Sequence, residues 1–336
     1  MVHCWVITDG TIGMESQCLG LAEALQVQPT IKRIALRAPW RWLAPYLRMG
    51  LIHAASGGGD AIAPPWPDLA IAAGRRSIPA ALAVRRRSRG RSFVVQIKDP
   101  LIDPRYFDLV VVPRHDAARG ENVFVTTGAL HRATPERLAA EAARHADRLA
   151  ALPHPRVAVL IGGRNGDFRL TPSLTVRIAE QLAGLCDRYG AGLMVTPSRR
   201  TGARNAAILR ERLAGLPADV WDGRGENPYF AYLGLADAVI VTGDSVNMVS
   251  EAASTGKPVH TIQLQGRSTK FATFHRGLEQ AGITRAFTGT LEQWSYRPLT
   301  DTADVAREVA RRLRAKGRRE ARSPLTSVHM QPMSTG

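Results

Sequence analysis

Three loops in the second half of the chain carry the side chains best suited to chemistry on a phosphate. Gly162, Gly163, Arg164, Asn165 and Gly166 close the apolar run VAVLIGG and continue it as RNG. Glycines there let backbone amides approach an anion closely, and Arg164 adds a planar fork of donors. A tight strand-to-helix turn with no ligand would use the same glycines. Ser198, Arg199 and Arg200, in VTPSRRTG, place a hydroxyl and two guanidinium groups at the end of the next strand, with a solvated turn as the alternative. Asp244 and Ser245 close ADAVIVTGDS, and Glu251 follows among small residues that Gly256 and Pro258 terminate. Ser245 can cap that helix, and Asp244 can share the task. At the carboxyl edge of an open α/β sheet, an acid such as Glu251 can accept hydrogen bonds from ribose hydroxyls. The plain alternative is an exposed helical glutamate.

The first half offers candidates for proton transfer. Asp9 lies in DGTIG after the run WVIT, and Glu15 opens the helix that follows, where a carboxylate also complements the helix dipole. His115 and Asp116 follow DLVVVP. A histidine beside an acid could be a general base, although neighbours on an extended strand point to opposite sides. Lys98-Asp99-Pro100 and Thr127-Gly128 end adjacent strands, with His131 just beyond, and each of these could be a plain loop residue. The 162–166 loop is neither the spaced GxGxxG of nicotinamide enzymes nor a GxxxxGK phosphate loop.

Such loops gain meaning only if strands and helices alternate and place them on one edge, and the chain has that βαβ pattern almost throughout. In the first half the spacing predicts strands near 4–7, 32–36, 69–73, 93–97, 109–112 and 123–126, with helices near 15–26, 40–53, 79–87 and 136–152. Pro153 and Pro155 then break the pattern, which restarts with VAVLIGG. Each half opens with a strand, a glycine-rich turn and a helix. The expected fold class is therefore α/β, with two doubly wound Rossmann-like domains facing across a cleft. The expected division is 1–153, 154–300, a terminal helix at 301–316 that packs back across the junction, and a flexible tail at 317–336.

Composition narrows the class. A chain of 336 residues, 45% apolar and 22% charged, suits two globular domains. No apolar run reaches the roughly 20 residues needed to span a bilayer, and the opening VHCWVITDG reads as a strand, not a leader peptide. Cys4, Cys18 and Cys186 are scattered and odd in number, which implies buried thiols in a reducing, cytoplasmic compartment and no metal site. The net charge of +16 is concentrated in arginine. Arg85, Arg86, Arg87, Arg89 and Arg91 form one cluster, and residues 311–322 form another. Without interleaved aromatics or a nucleic-acid motif, an anionic membrane surface fits these clusters better than nucleic acid, and a solvated face fits equally well.

The stretch ADAVIVTGDSVNMVSEAASTGKPV, followed by KFATFHRGLEQAGI, resembles the donor half of GT-B glycosyltransferases. It is most similar to that of the enzyme adding N-acetylglucosamine to the lipid-linked peptidoglycan precursor. That resemblance implies a ribose contact at Glu251, diphosphate neighbours at Gly162, Gly163 and Gly166, and a nucleotide-sugar co-substrate, UDP-linked, with no other cofactor. Over about residues 5–289, ITDGTIGMESQCLGLAEAL, VVQIKDPLIDPRYFDLVVVPRHD, TTGALHR and VTPSRRTG resemble the "elongated mitochondria" family. That family is named for plant members acting in mitochondrial fission and has many bacterial members. The peptidoglycan enzyme's first loop carries paired glycines and then a histidine, where this chain has DGTIGMES. Any catalytic role must then pass to Asp9, Glu15 or the His115-Asp116 pair. The expected function is a metal-independent glycosyltransferase acting at the inner face of a membrane on a lipid-linked or membrane acceptor. A non-catalytic adaptor and a nucleotide-sugar epimerase or hydrolase are the alternatives, and the oligomeric state is left open.

Overall fold

The computed structural model describes residues 2–46 and 58–322. Strands β1 (Cys4–Thr8), β2 (Pro29–Arg33), β3 (Leu69–Ala73), β4 (Phe93–Ile97), β5 (Leu109–Pro113) and β6 (Val123–Thr126) form a sheet in the order β2-β1-β3-β4-β5-β6. All its pairings are parallel. Every residue of β1, β3, β4 and β5 is buried. Parallel strands covered on both faces read as continuous apolar runs, which is why these four stand out in the sequence. The edge strand β2, PTIKR, is half-exposed and polar. It lies ahead of the expected 32–36 because its register with β1 starts at Cys4 opposite Pro29.

The second sheet repeats the plan. Strands β7 (Arg156–Ile161), β9 (Gly192–Pro197), β10 (Ala218–Val220), β11 (Ala238–Thr242), β12 (Val259–Ile262) and β14 (Thr284–Ala286) run in the order β10-β9-β7-β11-β12-β14. A short antiparallel pair, β8 (Phe168–Arg169) with β13 (Gln265–Gly266), stands apart.

The helices of the first half are α1 (Ile12–Ala24), α2 (Trp40–Leu43), α3 (Ile78–Arg87) and α4 (Pro135–Leu149). In the second half α5 (Pro172–Tyr189), α6 (Ala203–Arg212), α7 (Tyr229–Leu235), α8 (Val246–Ala253), α9 (Thr269–Gln280) and α10 (Asp301–Arg322) follow. The predicted helix at 40–53 and the tail at 317–336 lie partly outside the described residues. Within them, α10 continues past Lys316 to Arg322, because a single Gly317 costs a helix only about 1 kcal/mol.

The two halves exchange helices. Leu138 and Leu149 of α4 enter the core beneath the second sheet with Ala158, Leu160 and Tyr232. Val305, Ala306 and Val309 of α10 pack on the first sheet with Cys4, Val6, Cys18 and Leu21. The Asp301 carboxylate accepts from the amides of Thr127 (3.0 Å) and Gly128 (2.8 Å), just beyond β6, while Lys316 Nζ donates to Ser92 O (2.9 Å), just before β4. Helix α10 thus runs from the carboxyl edge of the first sheet to its amino edge.

The carboxyl edges of the two sheets face each other. Asn247 of α8 donates to Gly13 O (3.0 Å) and accepts from Gln17 Nε2 (3.2 Å), and Ser250 Oγ accepts from the Ala129 amide (2.9 Å). Helix α1 after β1 and the loop after β6 therefore meet α8 across the seam between the halves.

Candidate functional site

In the second half the three loops converge, and part of the convergence is internal. Asp244, whose side chain is fully buried, accepts from the Gly163 amide (3.1 Å) and from Arg200 Nη1 (2.7 Å). A Cβ on Gly162 would run into that carboxylate, and one on Gly163 into the Arg200 carbonyl. Both glycines are therefore required for this close packing. Asn165 accepts from the amides of Asp167 and Phe168 (both 2.8 Å) and donates to Asp244 O (2.9 Å), while Ser198 Oγ accepts from the Arg200 amide (3.2 Å). Arg200, Asp244, Asn165 and Ser198 thus complete one another. The positions in these loops open to an anion are Arg164, Arg199 and Gly166, all of them exposed. Ser245 caps α8 by accepting from the Met248 amide (3.4 Å), and Asp244 takes no part in the cap.

Glu251 is 7% exposed, so the exposed-glutamate alternative does not hold. Its Oε2 accepts from the Tyr229 hydroxyl (2.6 Å). Burial raises its pKa to about 7, against the Tyr229 hydrogen bond and the positive charges of Arg137 and Arg132. No hydrogen bond to Oε1 occurs among the described residues. Tyr229 was not singled out from the sequence, since it lies 22 positions away on another helix and only the fold joins the two.

Of the first-half candidates, Glu15 is held by both nitrogens of the Arg33 fork (2.9 and 2.7 Å). Asp9 accepts from the Thr11 amide (3.1 Å) and pairs with Arg76 (3.4 Å). Asp116 is buried and forms an ion pair with Lys270 of α9, across the cleft. His115 is the one of the four without an ion pair among the described residues. Its ring packs edge-on against Phe274 (5.5 Å), and its Nδ1 is buried with no partner. Burial lowers its pKa to about 4, with the charge of Asp116 opposing and those of Lys270, Lys98 and His275 adding, so the imidazole is neutral at pH 7. Lys270, Phe274 and His275 were missed in the sequence. Their spacing in KFATFHRG is helical, yet nothing local says which face meets the first half.

A cavity of about 330 Å³ lies at the carboxyl ends of β11 and β12, lined among others by Phe168, Gly243, Gln263, Ser268, Phe271 and His275. Exposed Trp42, Leu43 and Tyr46 lie beyond the carboxyl end of β2. The arginine cluster at 85–91 lies instead at the amino edge of the first sheet, where α3 ends and β4 begins.

A family model described as mitochondrial fission ELM1 matches residues 12–313. The chain belongs to the mitochondrial fission ELM1 family. Mitochondrial fission protein ELM1 of Arabidopsis thaliana is 34% identical over 278 residues, 75% of this chain, and the match spans 65% of the plant protein's length. An uncharacterized protein of Rickettsia prowazekii (strain Madrid E) is 26% identical over 91% of this chain and 97% of its own. Among solved structures, UDP-GlcNAc 2-epimerase from Methanocaldococcus jannaschii superposes with a TM-score of 0.55 at 11% identity, covering 93% of this chain and 100% of that one. The same enzyme in complex with UDP-GlcNAc and UDP gives a TM-score of 0.51 at 12% identity, with the same coverage. The epimerase from Rickettsia bellii gives 0.52 at 12% identity, over 96% of this chain and 99% of that one. At such identities the likeness is one of fold. This ELM1-family chain has the α/β GT-B fold of two Rossmann-like domains.

Proposed function

We propose that this protein binds a UDP-linked sugar against its second half and transfers the sugar, without a metal, to an acceptor at a membrane surface. The observation that carries this reading is Glu251. A buried carboxylate with one oxygen unfilled, on the helix after the central strand β11, is suited to accept hydrogen bonds from ribose hydroxyls. The cavity at the carboxyl ends of β11 and β12 has a size that suits a sugar. Arg164, Arg199 and backbone amides at the strand ends would stabilise the leaving diphosphate. His115, neutral at pH 7, would take the acceptor's proton. Exposed Trp42 and Tyr46 suit contact with the inner face of a membrane that holds the acceptor.

Calorimetric titration with UDP and GDP tests the donor site. Micromolar UDP binding that weakens roughly tenfold or more in Glu251→Ala is expected. Binding indifferent to that change would remove the ribose assignment, and absence of binding would leave a non-catalytic partner-binding role in its place. Turnover of UDP-GlcNAc in the absence of any acceptor would mark an epimerase or hydrolase instead of a transferase.

A further inference from the structure

The seam between the halves holds more charge than proton transfer by His115 requires. Lys98 ends β4, Asp116 follows β5, and Lys270 and His275 come from α9 of the other half. Lys98 has φ of +74° and Leu101, three residues on, +57°. A residue with a side chain pays about 1–2 kcal/mol for the left-handed region, so surrounding contacts must hold it there. Here the Lys98 amide donates to Val111 O (2.8 Å), and the Asp99 carboxylate accepts from the amides of Leu101 (2.9 Å) and Ala118 (3.1 Å). This strained loop brings a lysine into a partly dry place. Burial lowers its pKa, the charge of Lys270 lowers it further, and Asp116 opposes both.

The charged side chains at the seam are unequally partnered. Asp116 is ion-paired with half-exposed Lys270, and Lys98 lies within electrostatic reach of both. Lys98 itself makes no side-chain hydrogen bond or ion pair among the described residues, and the Asp99 carboxylate beside it is taken up by the Leu101 and Ala118 amides. His275 cannot add an acceptor on its Nε2, which is engaged with Gly243 O (2.7 Å), and His115 is neutral. The Lys98 ammonium is thus left without a partner beside the cleft, where low dielectric strengthens its pull on an anion.

We propose that Lys98 and Lys270 form an oxyanion subsite across the seam, which takes a phosphate or carboxylate carried by the acceptor. The inference rests on the proposed function only in assigning the first half to an acceptor. Asp116 occupies the Lys270 ammonium when the subsite is empty, and the incoming anion competes with it. The donor's diphosphate belongs elsewhere, because Arg164 and Arg199 lie at the ends of β7 and β9, on the other side of β11 from α9.

The chain has five lysines, Lys32, Lys98, Lys257, Lys270 and Lys316, so amine acylation read by peptide mass spectrometry can follow each one. The full-length protein, saturated with UDP, would be titrated with inorganic phosphate and, separately, with citrate. At nine-tenths occupancy, acylation of Lys98 and Lys270 is expected to slow about tenfold, with Lys32 and Lys316 unchanged. Protection by phosphate alone assigns a phosphorylated acceptor, and protection by citrate alone a carboxylate. Asp116→Asn should tighten phosphate binding, since the internal competitor is gone, and Lys98→Gln should abolish the protection of Lys270. A merely structural ion pair would instead lose thermal stability in Asp116→Asn without gaining affinity, and that result overturns the proposal. Absence of protection by either anion overturns it too, as does protection by UDP alone, which would give both lysines to the donor. Failure of UDP to bind, read by calorimetry, sinks the donor reading while the phosphate arm still decides the subsite.

Discussion

Glu251 connects the candidate site to stability through its own proton. Its pKa rises from the ordinary 4.5 to about 7, so the fold favours the protonated acid. The stability it contributes is fully present below pH 4.5 and is lost as pH climbs through about 7. The shift corresponds to about 3 kcal/mol. Glu251→Gln, which stays neutral, should match the parent in urea denaturation at pH 4 and exceed it by up to that amount at pH 8. An equal effect at both pH values would mean that the carboxylate does not titrate in this window. Ribose hydroxyls, by contrast, bind the ionised form. Uridine, which has no phosphate to titrate here, should bind the parent more tightly at pH 8 than at pH 6, and the Gln variant with no such slope. A flat profile in the parent would place the ribose away from Glu251.

At the scale of elements, the glycine turn after β7 separates structure from binding. Gly162→Ala would drive a methyl group into the buried Asp244 carboxylate and should cost about 3 kcal/mol or more, whereas Gly166→Ala meets open space and should leave stability within about 0.5 kcal/mol. Thermal melts of the two variants decide this, and a lowered UDP affinity in Gly166→Ala alone would report ligand contact at the loop. Asp301→Ala removes the carboxylate that receives the Thr127 and Gly128 amides and should cost about 1–3 kcal/mol, measured by denaturant titration. The same elements show what the sequence makes legible. Strands such as β3 (LAIAA) and β11 (AVIVT) are buried on both faces, so apolar runs mark them. The half-exposed edge strand β2 carries Thr30, Lys32 and Arg33, and composition alone misplaces it. The strand-end loops were readable because open α/β sheets use that edge. What fills them was not, because the partner of Asp244 is a guanidinium 44 positions earlier, Arg200, and that of Asp116 is Lys270 in the other half. Such pairings depend on how the two sheets face each other, which no local pattern encodes.

At the scale of the whole molecule, part of the net charge of +16 gathers at the amino edge of the first sheet. Asp108 pairs with Arg85 (3.5 Å) and with Lys316 (3.3 Å), which draws the 85–91 cluster and the basic end of α10 onto one face. Exposed Arg86, Arg87 and Arg89 lie there beside Arg314 and Arg318. That face is the amino edge of the first sheet, about 24 Å from the cleft edge along the sixteen residues of α10 between Asp301 and Lys316. Exposed Trp42, Leu43 and Tyr46 form a second, apolar patch in the segment that follows β2. Only a bilayer on the cleft side would bring a lipid-linked acceptor to His115. The two patches differ in their physics. Arginine contacts with anionic headgroups give about 1 kcal/mol each and fade with salt, whereas burial of Trp42 and Leu43 survives it. Retention on vesicles containing phosphatidylserine should therefore drop in Trp42→Ser/Leu43→Ser at high salt. The triple change Arg86→Glu, Arg87→Glu, Arg89→Glu should matter at low salt only. If the arginine variant instead loses retention at every salt concentration and the Trp42/Leu43 variant loses none, the protein docks with its cleft turned away from the bilayer. Its acceptor must then come from solution.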